Sequence, residues 1–157
     1  MGLEYSLYLR SEKSLQELTE NYLLLENIHL EKNIKDNLIE IDSIYEILGF
    51  IIYLYSGIDK YFSYEIDKKM IENRWHGKYN CLSFEFNKSF DNSIAKTNMI
   101  NIVIKVLEET TSDVLLLFNS DVLILERKDS KLYLNDKIGF WNEKSLSDKM
   151  TLYKRSR

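Results

Sequence analysis

The sequence has no proline, five glycines, one cysteine and two histidines among its 157 residues. Each scarcity closes a class of explanation. With so little glycine there is no G-x-G-x-x-G and no G-x-x-x-x-G-K-[ST], hence no loop of those two types to cradle a nucleotide's phosphates. A single thiol, Cys81, excludes an internal disulfide and fits a reducing compartment. His29 and His76 are far apart in sequence and neither lies in a nucleophile context, so no catalytic triad suggests itself. His76 and Cys81 alone do not make a metal site. No apolar run reaches the ~20 residues that span a bilayer. The opening MGLEYSLYLR lacks the basic and apolar regions of a secretory signal. The expectation is a cytoplasmic chain that does not enter a membrane. Charge is mixed, 25 acidic against 21 basic residues, which argues against a nucleic-acid partner.

What is present is apolar residue in quantity, 45% of the chain, enough for one domain over residues 1–157. Leu3–Arg10 alternates Leu3, Tyr5, Leu7 and Leu9 against Glu4, Ser6 and Tyr8, a strand with one buried face. Ser14-Leu15-Gln16-Glu17 is a capping box. Leu15, Leu18, Tyr22 and Leu25 then follow on one face of an N-terminal helix. Asn27–Asn37 is polar and loop-like, and Asn37–Asp42 is a short strand. Phe50–Asp67 reads as a hairpin turned at Ser56–Lys60, with a helix from Tyr64 to Arg74 as the competing reading. Arg74–Tyr79, RWHGKY, reads as a loop. It either stacks on a base or binds a partner, or it pins one Trp into the core edge, and the last reading is preferred. Cys81–Asn87 alternates as a strand.

Asp91–Thr110 is the strongest helix, capped by Asp91 or Ser93 and striped by Ala95, Met99, Ile102, Val103 and Val106. So broad a stripe needs a sheet to cover. Asp113–Asp136 supplies one: apolar runs Val114–Phe118 and Val122–Leu125, then Leu132-Tyr133-Leu134, separated by Asn, Asp and Ser clusters, form a strand meander. Ile102, Val103 and Val106 are expected to pack on Leu115, Leu117, Leu123 and Leu125. Ser145–Met150 reads as a last short helix and Tyr153–Arg157 as a frayed basic tail. The fold class is α+β. A largely antiparallel sheet packs against one long helix (Asp91–Thr110) and an N-terminal helix.

The stretch LLLFNSDVLILERKDSKLYLND, followed by Gly139-Phe140-Trp141, resembles the C-terminal signature of the Sit-type immunity proteins. These are small bacterial proteins that neutralise a toxin delivered between neighbouring cells by contact. Their pattern is an acidic residue, an apolar strand ending in Phe-Asn, a second strand ending in a basic residue, then Leu-x-Leu-Asn and a Trp. The corresponding positions are Asp113, Phe118, Asn119, Arg127, Leu132, Leu134, Asn135 and Trp141. Leu3-Glu4-Tyr5-Ser6-Leu7 is similar to the family's opening strand. The chain departs in having Ser120 where the family usually has Gly, and in extra residues between Gly57 and Asn80. The resemblance implies a cytoplasmic, non-enzymatic protein without a cofactor. Its partner would be the C-terminal domain of a cognate toxin in contact-dependent growth inhibition, with nucleases among the toxins expected.

One enzymatic pattern competes. Val122–Lys128 is an apolar strand ending in Glu126-Arg127-Lys128, which resembles the core of restriction-endonuclease-like nucleases. There Asp113 or Asp121 would join Glu126 in holding Mg²⁺, and Lys128 would support the attacking water. The densest acidic region is elsewhere: Glu26, Glu31, Asp36, Glu40, Asp42 and Glu46, against only Lys32 and Lys35. It is either a solvated face or the surface that meets a basic toxin.

Overall fold

The structure, a computed structural model, describes residues 2–11, 13–14, 17, 32–35 and 38–155. Its elements are β1 (Glu4–Leu9), β2 (Lys32–Lys35), β3 (Leu38–Ile41), β4 (Phe50–Ile66), β5 (Lys69–Phe86), α1 (Asn92–Glu109), β6 (Val114–Phe118), β7 (Val122–Lys128), β8 (Lys131–Leu134), a 3-10 turn (Gly139–Asn142) and α2 (Lys144–Arg155). The strands make one sheet in the order β2-β3-β4-β5-β1-β6-β7-β8. Neighbours in that order run antiparallel, so the fold is α+β as expected. The expected N-terminal helix lies outside the described residues. Its capping box is formed: the Glu17 N–H donates to Ser14 Oγ at 3.1 Å and the Ser14 N–H to Glu17 Oε1 at 3.3 Å.

The hairpin of β4 and β5 differs most from expectation. The two strands span 17 and 18 residues, and the turn is Asp67-Lys68 rather than Ser56–Lys60. The helix that competed for Tyr64–Arg74 is absent, and Arg74–Tyr79 is strand rather than loop. Pairing to a partner strand along the whole length outweighs the weak helical preference of the sequence. The ladder breaks once, between Ile58↔Lys78 and Lys60↔Trp75, where Asp59 faces both His76 and Gly77. Asp59 and Gly77 take φ of 58° and 92°, and the Gly77 N–H donates to Asp59 Oδ1 at 2.7 Å. A bulge of this kind bends the ribbon and increases its twist. Beyond it the arm folds across the sheet until the Glu65 N–H meets the Asp121 carbonyl at 2.7 Å, in parallel register with β7. Strands β4, β5, β1, β6 and β7 thereby close into a small barrel.

Three hairpin turns use two residues with positive φ, Asp67-Lys68 (49° and 67°), Asn119-Ser120 (48° and 68°) and Asp129-Ser130 (51° and 67°). This is type I′ geometry, whose twist suits antiparallel strands. Asn or Asp leads each turn, the residues other than glycine that best tolerate a left-handed backbone. Ser120 thus fills a glycine-like position.

The barrel gives the sheet two cores. Leu7, Leu9, Leu116, Ile124 and Leu125 pack with Met99, Ile102, Val103 and Val106 of α1. Tyr8, Phe62, Tyr64, Trp75, Cys81, Leu115, Leu117 and Leu123 fill the barrel on the other side. Phe62 stands edge-on to both Tyr8 and Trp75 at 5.0 Å. Two expectations are corrected here. β1 is buried on both faces, Ser6 and Tyr8 included. Of the four residues expected beneath α1, only Leu125 lies there, while Leu115, Leu117 and Leu123 face the barrel. A continuous apolar run carries no alternation from which to tell the two faces apart.

The meander is stitched to the helices by polar side chains. Arg127, 5% exposed, donates to the Leu107, Thr110 and Ser112 carbonyls at 2.7–3.0 Å and to the Tyr153 hydroxyl at 3.4 Å. It thus satisfies carbonyls orphaned at the end of α1. Tyr153 is consequently buried, and α2 continues to Arg155 instead of stopping near Met150 and fraying from Tyr153. A second irregularity lies in the β6–β7 register at Leu116/Leu117, and beside it the Leu123 and Ile124 carbonyls accept side-chain donors, the latter in addition to the Asn135 N–H at 3.1 Å. Asn135 Nδ2 reaches the first at 2.7 Å, and Trp141 Nε1 reaches the second at 2.9 Å.

Leu117→Ala and Val103→Ala should each cost about 2–5 kcal/mol in chemical denaturation, because both side chains are buried in closed cores. A cost below about 0.5 kcal/mol at Leu117 would mean that the arm does not cover the sheet. High pH should unfold the protein. Burial pushes Tyr5, Tyr8 and Tyr64 up from 10.0 to about 12, aided by Glu143, Cys81 and Glu126 respectively. The unfolded chain releases these protons first. The associated stability is therefore intact below about pH 10 and is lost as pH rises toward 12. Ionisation of Tyr5, Tyr8 and Tyr64, followed residue by residue by NMR, should coincide with loss of circular dichroism. Ionisation of these three well before unfolding would contradict this.

Candidate functional site

The side of the sheet opposite α1 is covered by the arm only in part, and the open remainder is acidic. On β3, Ile39 and Ile41 are buried while Glu40 is turned to the other face, directly opposite Tyr53. Two residues back on β4, Ile51 pairs with Glu85 of β5, and Glu85 pairs with Glu4 of β1. Two carboxylates thus stand opposite each other on neighbouring strands, an arrangement that destabilises a sheet. Hydroxyls moderate the cost. Tyr53 donates to Glu85 Oε2 at 3.1 Å, and Ser6 to Glu4 Oε1 at 3.3 Å. Burial first, then Glu85 and Glu40, push the Tyr53 phenol up to about 12, so it remains a donor across the neutral range. Among the described residues the ion pairs engage other carboxylates, Asp113 and Glu143. Glu4, Glu85 and Asp121 also border an open cavity of about 460 Å³.

The structure divides the acidic region expected from sequence. Glu26, Glu31 and Asp36 lie outside the described residues. Glu40 joins Tyr53, Glu85 and Glu4, while Asp42 and Glu46 are exposed in the turns after β3. Glu4 and Glu85 are candidate site residues that the sequence does not single out. Their outward phase is readable from strand alternation, but their pairing joins positions 81 residues apart and needs the register.

The nuclease set is distributed differently. Asp113 and Asp121 flank opposite ends of β6. Asp113 Oδ1 accepts the Asp129 N–H at 3.0 Å, and its Oδ2 is 3.9 Å from Arg10. Glu126 accepts from the Tyr64 hydroxyl at 3.1 Å, and Lys128 is exposed at the end of β7. Among the described residues no three His, Cys, Asp or Glu side chains are grouped to hold a metal ion. Trp75 is 4% exposed inside the barrel, so it cannot stack on a base and instead pins the arm. Burial pushes the Cys81 thiol up to about 12 and keeps it protonated.

Glu85→Gln should stabilise the isolated protein by about 0.2–1 kcal/mol through relief of the cross-strand repulsion. It should also lower the Tyr53 pKa, readable by NMR titration. Destabilisation with an unchanged Tyr53 would show that the two carboxylates do not oppose each other.

Among the described residues no helix is long and apolar enough to cross a membrane. No curated protein and no solved structure matches the chain. A family model described as SitI3-like matches residues 3–145, a span that takes in β1, the barrel and the polar stitching by Arg127, Asn135 and Trp141. The chain belongs to the SitI3-like family, one of the Sit-type immunity proteins.

Proposed function

We propose that this protein neutralises a cognate toxin domain by binding it stoichiometrically in the cytoplasm, as the immunity half of a contact-dependent inhibition pair. The observation that carries the reading is the family match over residues 3–145. The partner is the C-terminal domain of the toxin, and a nuclease with a basic substrate cleft suits the surface described above. Blocking such a cleft needs no catalytic group and no cofactor. It needs a rigid scaffold and a surface of complementary charge, which steers encounter and selects the partner.

The proposed contact surface is Glu26, Glu31, Asp36, Glu40, Asp42 and Glu46, extended across the sheet by Glu85 and Glu4. Carboxylates that oppose each other in the free protein gain when a cationic surface arrives, so part of the cost at Glu4 and Glu85 is recovered on binding. The gene immediately upstream should encode the toxin. Purified protein should be inert on DNA and RNA with Mg²⁺ or Mn²⁺. Metal-dependent cleavage that vanishes in Glu126→Ala, with the fold intact, would overturn the immunity reading.

Reversing Glu31, Asp36 and Glu40 to Lys should slow toxin association by roughly tenfold or more at low salt. The defect should shrink as ionic strength rises. Stopped-flow association at several salt concentrations measures both. Unchanged association at low salt would remove this surface.

A further inference from the structure

Two motifs singled out in the sequence, Arg74–Tyr79 and Glu126-Arg127-Lys128, meet at the mouth of the barrel. Asn73, Arg74 and Trp75 of the arm line a notch of about 160 Å³ together with Arg10, Asp113 and the Glu126-Arg127-Lys128 end of β7. The charges in it are not equivalent. Both carboxylates are engaged within the fold, Asp113 by the Asp129 N–H and Arg10, Glu126 by the Tyr64 hydroxyl. Arg10 is held by the His76 carbonyl at 3.1 Å and lies over Trp75. Arg74 and Lys128 are exposed, and among the described residues neither forms an ion pair. The Arg74 guanidinium lies over the Tyr61 ring, 5.4 Å from its centroid, so a face is covered while its edge remains for a ligand.

A guanidinium offered by its edge matches the two oxygens of a carboxylate, and a neighbouring ammonium adds charge without demanding geometry. Asp113 and Glu126 offset part of the positive charge of the notch, which narrows the advantage of a doubly charged phosphate over a carboxylate whose two oxygens fit the guanidinium edge. Trp75 lines the notch but is 4% exposed and lies under Arg10, so its ring is not offered for stacking on a base, which disfavours a nucleic acid. We propose that this notch is a second partner contact, which receives an Asp or Glu side chain from the surface of the bound toxin between Arg74 and Lys128. The acidic face alone would attract any basic surface. A contact of opposite sign at a fixed position sets orientation and rejects basic proteins that lack the matching carboxylate. The proposal rests on the toxin-binding reading only for the source of that carboxylate.

The test begins without a toxin. N-acetyl-glutamate α-amide, which carries one side-chain carboxylate, is titrated into isotopically labelled protein. Inorganic phosphate and chloride serve as parallel arms at matched ionic strength. The Arg74 Nε and Lys128 Nζ signals should shift saturably, with a dissociation constant on the order of millimolar. Phosphate should bind more weakly and chloride should give no saturation. Arg74→Gln with Lys128→Gln should weaken the carboxylate at least tenfold and leave the core spectrum unchanged, since both residues are exposed. No saturable shift, an equal response in the double variant, or tighter binding of phosphate would each overturn the assignment. With the toxin in hand, the double variant should still form the complex but release it at least tenfold faster. Unchanged release would also overturn it. Failure of the wild-type protein to bind the toxin would instead overturn the immunity reading and leave the small-molecule result standing.

Discussion

The fold depends on a buried guanidinium that, among the described residues, forms no ion pair. Arg127 gives five hydrogen bonds to three backbone carbonyls and one tyrosine hydroxyl. A guanidinium can be buried this way because the end of a helix is a concentration of partial negative charge with carbonyls aimed outward. In exchange, the last turn of α1 is fixed to β7, α2 is anchored through Tyr153, and the loop from Thr110 to Ser112 is set at the height from which β6 starts. Loss of the side chain would leave both an unsatisfied helix end and a gap beneath α2.

Backbone accounting explains the other signature residues in the same way. Beside a register irregularity, in a strand buried on both faces, carbonyls lie where water cannot reach. Asn135 and Trp141 donate to two of them. Asn119 joins the β6 turn to β1 through paired bonds with Glu4, 2.8 Å from its N–H and 3.0 Å at its Oδ1. These side chains are committed to the scaffold. The proposed contacts lie instead on the opposite side of the sheet and at the barrel mouth, where substitution need not disturb backbone pairing.

The two candidate contacts differ in what they cost the free protein. The acidic face opposes Glu4 to Glu85 across the sheet and softens the repulsion with Tyr53 and Ser6. Such local conflict is characteristic of sites shaped by binding rather than by stability. At the barrel mouth Asp113 is engaged by Arg10 and Glu126 by the Tyr64 hydroxyl, so no two like charges are set directly opposite each other there. A toxin that satisfies both contacts must present cations and a carboxylate at a fixed separation, a stricter requirement than charge attraction alone.

Much of the scaffold is legible in the sequence. The period of Asp91–Thr110, the punctuation of the meander by Asn, Asp and Ser, and the short Leu-Ile-Glu-Ile strand each fix an element through local physics. The Phe-Asn, Arg and Leu-x-Leu-Asn positions identify the family. The second buried face of β1 and the faces of β6 were not legible: β1 alternates in sequence yet is covered on both sides, and β6 is apolar throughout. The long arm was not legible either. Ser56–Lys60 contains turn-forming residues, yet it carries a bulge, since Asp59 and Gly77 bend a ribbon that continues pairing beyond them. Composition and local pattern thus determined the long helix, the meander and the family, but not β2, which falls in a stretch that reads as a loop, nor the arm. Only the tertiary structure decided which carboxylates face each other and which cations meet at the barrel mouth. Both depend on strand register and on one bend, and neither is a property of any short stretch of chain.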